Sequence, residues 1–272
     1  MITQRPIVRI KYQMVTAKQN TELGQEEVER RQRFLRTYVG PATQVDIATP
    51  ATGLGAVETR ADAAITVPQL LEAAVRAERD GYDAMIISCF SDPGLEATRE
   101  LVSIPVIASA QASMHIAAQL GSRFSVIAPG TRRSSRSDEV PTRYGLRDQY
   151  ASTRRSGLSV MDLARDRDRT LTQLSESGTA AVEEDGADVL ILGCMSMAFH
   201  GIEAELAERI GVPVVNPVPA TLMMAELLVR CGLSHSPLSY PPSAPPVILS
   251  ARLDDTEPVA GETPDRLKTS RL

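Results

Sequence analysis

Apolar and polar positions alternate over residues 7–14 (IVRIKYQM), the period of a half-buried strand. Glu and Arg then surround Val28, Phe34 and Leu35 over residues 22–38, which predicts an amphipathic helix. A second short strand is expected at 44–48 (QVDIA). Residues 68–80 read as a helix with Pro68 in its first turn and Gly81 just past its end. The run AMIIS at 84–88 is continuously apolar, as a parallel strand buried on both faces requires. A helix at 95–101, a strand at 105–108 and a helix at 111–120 follow.

From Arg123 the order starts again. FSVIA (124–128) predicts a strand, residues 131–145 a polar loop, and 158–163 a short strand. A long helix is expected at 165–185, ending at Gly186, then a buried strand at 189–192. A helix at 202–210, a strand at 212–215 and a helix at 219–231 complete the pattern, before a Pro- and Ser-rich tail from Pro237 with no regular period. Strands alternating with helices predict a parallel α/β fold.

Two stretches repeat each other. DGYDAMIISCFSDPG (80–94) aligns with DGADVLILGCMSMAF (185–199), so that Asp80, Gly81, Asp83, Ile86, Cys89 and Ser91 fall on Asp185, Gly186, Asp188, Ile191, Cys194 and Ser196. After a short insertion IPVIASAQA (104–112) meets VPVVNPVPA (212–220). The fold class that follows is α/β, with two parallel-sheet halves related by a pseudo-twofold axis and a cleft between them. The expected division is 1–112 with 220–272 for the first half, and 113–219 for the second. Ligands of α/β sheets bind beyond the carboxyl ends of the strands. Both Cys89 and Cys194 sit at such ends. A cysteine at one strand end reads as a small core residue. Two at duplicated positions, each before a polar turn, read as acid/base groups on opposite faces of one substrate, with sulfurs about 7–10 Å apart.

Composition narrows the partners. The 272 residues carry a net charge of −5 and 4% aromatics with no Trp, which disfavours nucleic acid. No apolar run is long enough for a membrane span, and the charged start does not read as a signal peptide. Three widely spaced cysteines make no disulfide framework and fit a reducing, cytoplasmic setting. The three histidines lack metal-ligand spacing, and Gly53-Leu54-Gly55 lacks the third glycine of a dinucleotide loop. No metal and no cofactor are therefore expected, and the partner is a small-molecule substrate.

The segments SCFSDPGLEATRE, PVIASAQASMH and ILGCMSMAF, with RYGL (143–146), GVPVVNPV (211–218) and GLSHSPLSYPP (232–242), resemble the aspartate/glutamate/hydantoin racemase superfamily, in its hydantoin racemase branch. The resemblance implies a cofactor-independent racemase or epimerase acting on a hydantoin-like or amino-acid-derived compound. One cysteine, as thiolate, takes the proton from the stereocentre, and the other, as thiol, returns one to the opposite face. Loss of C5–H from a hydantoin gives an enolate, so donors for the oxyanion are needed. Backbone N–H groups of Phe90, Ser91, Met195 and Ser196 are the expected donors, at helix starts that would also lower the thiol pKa. A homo-oligomer is expected. Where the family often has Asn-Pro-Asn after the first strand, this chain has Gln13-Met14-Val15-Thr16. Gln111 replaces the family's Glu, and Met195 and Ser196 follow the second cysteine. These changes make Gln13 and Gln111 candidate ligand contacts and predict a reshaped, neutralised pocket.

The same scaffold supports cis–trans isomerisation of a maleate-like diacid by thiol addition, one-thiol decarboxylation of malonates, or binding without turnover. The retained pair of thiols argues against the last two. Among the remaining candidates, His115 and Cys231 read as packing residues, His200 as a residue close after the second cysteine motif but more readily outside the cleft than lining it, and Arg132, Arg133 and Arg136 as a solvated basic loop.

Overall fold

A computed structural model describes residues 7–131 and 136–246. The chain forms two four-stranded parallel sheets. In the first, β1 (Val8–Met14), β2 (Thr43–Ala48), β3 (Ala84–Ser88) and β4 (Val106–Ala108) lie in the order β2-β1-β3-β4. In the second, β5 (Phe124–Ala128), β6 (Tyr150–Arg155), β7 (Val189–Leu192) and β8 (Val214–Val215) lie in the order β6-β5-β7-β8. One strand order used twice is the duplication read from the sequence, now in three dimensions.

The repeat also carries its own hydrogen bonds. The Asp83 carboxylate accepts the Arg9 N–H, and that of Asp188 accepts the Arg123 N–H, each at 2.8 Å. The Asp83 and Asp188 N–H groups donate back to the same arginines' carbonyls at 2.8 Å. Gly81 and Gly186 stand at φ 75° and 70°, a left-handed turn that lets each chain enter its central strand. Further on, Met85 N–H bonds the Pro105 carbonyl at 3.0 Å and Leu190 N–H that of Pro213 at 2.9 Å. The repeated Asp, Gly and Pro positions thus make the same turn and strand-entry contacts in both halves.

Strands β3 and β7 are buried at every position, as apolar runs covered by helices on both faces must be. The covering helices are α1 (Gly24–Arg36), α2 (Arg60–Arg79), α3 (Leu95–Leu101) and α4 (Ser109–Leu120) in the first part of the chain. They continue with α5 (Arg136–Arg143), α6 (Val160–Arg165), α7 (Arg167–Glu183), α8 (Met195–Ala198), α9 (Glu203–Ile210) and α10 (Pro217–Arg230). The last of these, capped by the Asn216 side chain on Val218 N–H, returns to pack on β1, β3, β4 and α4.

Several elements differ from the sequence reading. Helix α2 starts at Arg60, because Thr59 and Asp62 form a capping box, and Pro68 lies inside the helix. Residues 158–163 are not a strand: Ser159 and Asp162 form another capping box that starts α6. The outer strand of the second sheet is instead β6, whose polar residues YASTRR gave no apolar run. The polar loop at 131–145 contains α5.

Candidate active site

The carboxyl ends of β1 and β3 face those of β5 and β7 across a cavity of about 610 Å³. Cys89, Phe90 and Ser91 line it from one sheet, and Cys194, Met195 and Ser196 from the other. Cys89 is half-buried and Cys194 buried, and both are free thiols. Gly193 fixes the approach to Cys194. Its N–H bonds the Ile127 carbonyl at 2.7 Å, and a Cβ there would come within 2.7 Å of that same oxygen and 2.5 Å of Val126 Cγ1.

The two thiols have different surroundings. Cys89 Sγ lies 3.1 Å from Ser91 Oγ. Burial pushes its pKa up; the Ser91 hydroxyl and N–H pull it back, while Asp92 and Cys194 push it further up. Burial also pushes Cys194 up, and there Ser196 N–H, Lys18, Met197 N–H and Arg31 all favour the thiolate. Helix-start N–H groups therefore oppose the shift, as the sequence suggested, but desolvation outweighs them. The helix itself begins at once only after Cys194. After Cys89 the chain first makes a turn closed by Asp92 N–H on the Cys89 carbonyl at 3.0 Å, and α3 starts later, at Leu95.

Asp92 is the anchor of that turn, at φ 47°. Its carboxylate accepts Ala110 and Gln111 N–H at 2.9 Å and the Tyr144 hydroxyl at 2.6 Å. Burial pushes Asp92 up to about 6 against those donors.

Two expected ligand contacts fall elsewhere. Gln13 is buried with its Nε2 on the Met14 carbonyl at 2.9 Å, and Gln111 Oε1 is taken by Arg99 at 2.8 Å. Neither side chain is part of the cavity wall. His200 Nε2–H donates to the Leu163 carbonyl, 2.6 Å away, and faces a separate surface hollow with α1 and α6. His115 and Cys231 are exposed rather than packed. The side chains of Arg132, Arg133 and Arg136 lie outside the described residues.

The cavity is not neutral. Among the described residues, Lys18, Arg31, Arg60 and Arg155 line it, against a single carboxylate, Glu58. Arg31 is 2% exposed, bonds Glu27 at 2.7 Å, reaches Ser196 Oγ at 3.5 Å and lies over the Phe199 ring. Its place was legible: Val28, Arg31 and Leu35 share one face of α1, so an arginine sits in the apolar stripe. Lys18, in the 3-10 turn Lys18–Asn20 after β1, carries no such signal. It is also 2% exposed, and burial, then Arg31, lower its pKa to about 8. Among the described residues, no group of three or more His, Cys, Asp or Glu gathers as metal ligands would.

The family model for Asp/Glu/hydantoin racemases matches residues 24–225. The chain belongs to that family. A hydantoin racemase of Pseudomonas sp. (strain NS671) is 33% identical over 196 residues, covering 72% of this chain and 78% of that protein. Among solved structures, allantoin racemase from Klebsiella pneumoniae superposes with a TM-score of 0.77 at 28% identity, covering 87% of this chain and 94% of that one. Allantoin racemase from Pseudomonas fluorescens gives 0.77 at 29%, with 88% and 98% covered. Membership of the racemase family makes the protein an isomerase by class. Among the described residues, no helix is long and apolar enough to cross a membrane.

Proposed function

We propose that the protein racemises a 5-substituted hydantoin or a related cyclic ureide such as allantoin, with Cys89 and Cys194 as the two bases. One observation carries this: two cysteines from duplicated strand ends wall the same cavity. The thiolate takes the proton from the stereocentre and becomes a thiol. The C–H electron pair moves onto the adjacent carbonyl. The opposite thiol then gives its proton to the other face and is left as thiolate. One thiol and one thiolate exchange roles in each turnover, so no net proton is consumed.

Phe90, Ser91, Met195 and Ser196 stand beside the thiols, and their N–H groups serve as donors to the substrate. Ser91 Oγ is the hydrogen-bond partner of Cys89 Sγ. Among the described residues, the two walls come from the divisions 1–112 with 220–272, and 113–219; the packing of α10 on the first sheet supports that division. The thiols stay free in a reducing cytoplasm.

Proton NMR in deuterated buffer, with each enantiomer of a panel of hydantoins and allantoin, tests the reading. Cys89→Ser and Cys194→Ser should each abolish racemisation, because a serine hydroxyl does not supply an anion near neutral pH. Each variant should still exchange the proton of one enantiomer only, and the two should prefer opposite enantiomers. Racemisation at the wild-type rate by either variant would sink the proposal.

A further inference from the structure

Lys18 has the features of a group waiting for a negatively charged oxygen. It is buried in the cavity wall that also holds Cys194. Among the described residues its ammonium makes one hydrogen-bond contact, a weak one to Met161 Sδ at 3.5 Å. No described carboxylate lies within ion-pair distance. Glu58, on the loop before α2, spends Oε1 on Val160 N–H at 2.9 Å. Glu27, on α1, is bound by Arg30 and Arg31, each at 2.7 Å. The remaining charge facing Lys18 is Arg31, of the same sign, and the ionisable Cys194. A buried cation is normally paired. Here the described residues supply no oxygen, and three N–H donors share one thioether.

Resting on the racemase reading above, we propose that Lys18 is the electrophile that receives the enolate oxygen formed when the substrate's stereocentre loses its proton. That oxygen is two bonds away from the carbon the thiols act on, so it develops inside the same cavity. The ammonium keeps its proton throughout. It stabilises charge that exists only after C–H cleavage, which is the condition for raising kcat rather than substrate affinity.

The enolate is common to both directions, which separates Lys18 from the thiols. Lys18→Met, close in length and uncharged, should lower exchange from both enantiomers equally, by about 100-fold or more in kcat with little change in KM. Lys18→Arg should recover part of that loss. The melting temperature of Lys18→Met should match or exceed the wild type, since a buried unpaired charge has been removed; a fall in stability that accounts for the lost activity would overturn the proposal. A one-sided loss, confined to the enantiomer served by Cys194, would also overturn it and mark Lys18 as a thiolate partner only. A second measurement does not depend on turnover. Barbiturate, a planar ring whose enolate is already ionised at neutral pH, should bind the wild type at least about tenfold more tightly than Lys18→Met. Equal binding, or none to either, refutes the proposal. Wild type that binds barbiturate through Lys18 but exchanges no hydantoin proton would instead refute the racemase reading and leave the anion seat standing.

Discussion

The Tyr144 hydroxyl, from the second half of the chain, donates to the Asp92 carboxylate of the first at 2.6 Å. The contact has a mirror image: Tyr38, following α1, donates to Glu203 at the start of α9 at 3.1 Å. Each half thus extends a tyrosine to a carboxylate of the other. The first of these bonds bears directly on the site, because Asp92 also holds the turn that carries Cys89 and Ser91.

Tyr144→Phe should therefore cost about 1–3 kcal/mol, the penalty for removing a donor from a buried carboxylate. Urea unfolding of the variant and of Tyr38→Phe measures it, with the larger loss expected at Tyr144. A Tyr144→Phe midpoint unchanged from the wild type would show that the two backbone N–H groups alone satisfy Asp92.

Gly193→Ala should displace Cys194. The added methyl meets the Ile127 carbonyl and Val126 at distances that backbone cannot easily relieve. A stability loss of about 1–3 kcal/mol is expected, together with a fall in proton exchange at the Cys194 face. Thermal melts and alkylation of Cys194 by iodoacetamide, followed by mass spectrometry, check both effects. Unaltered alkylation would place the strain elsewhere.

His200 predicts acid sensitivity. Burial, with Arg30 and Arg31 nearby, holds its pKa below the ordinary imidazole value, although the Leu163 carbonyl and Glu27 favour the cation. The unfolded chain then takes up the proton first as pH falls below about 6.5. Stability is lost through that window and levels off once the folded-state imidazole also protonates. Denaturation midpoints at pH 7.5 and 5.5 should differ less for His200→Asn than for the wild type. Identical differences would remove His200 from the account.

Gln111→Ala should leave turnover nearly untouched. Its amide oxygen serves Arg99, outside the cavity, so KM should change by less than about twofold, the range of a substitution away from the site. A large rise in KM would restore Gln111 to the ligand contacts.

The fold was legible where burial shapes composition. AMIIS and VLIL are apolar throughout because helices cover both their faces, and the Asp-Gly turns before them repeat because each turn closes the same unit. Strand β6 was not legible. It lies at the sheet edge, and Tyr150, Ser152 and Arg154 serve hydrogen bonds to Thr153, Ser125, Asp185 and Glu184 instead of an apolar face. The position of both thiols in the cavity wall could be read because duplication marked them. Gln13 was misread because sequence adjacency to the cleft does not fix where a side chain turns; its amide closes onto the next carbonyl. Lys18 escaped notice because a lysine in a polar connection looks solvated until the tertiary fold closes over it.

The origin of the charges around Cys194 has a consequence for the chain as a whole. Lys18 and Arg31 are contributed by residues far upstream of the thiol they face. A fragment carrying Cys194 alone would keep its strand and turn but lose its cations, and a fragment carrying Cys89 would lose Tyr144, the outer donor to Asp92. On the two-base proposal, neither piece would hold a partial site with weak activity. Turnover regained on mixing two fragments would thus count reassembled molecules, which makes the reaction itself an assay for complementation between the two parts of the chain.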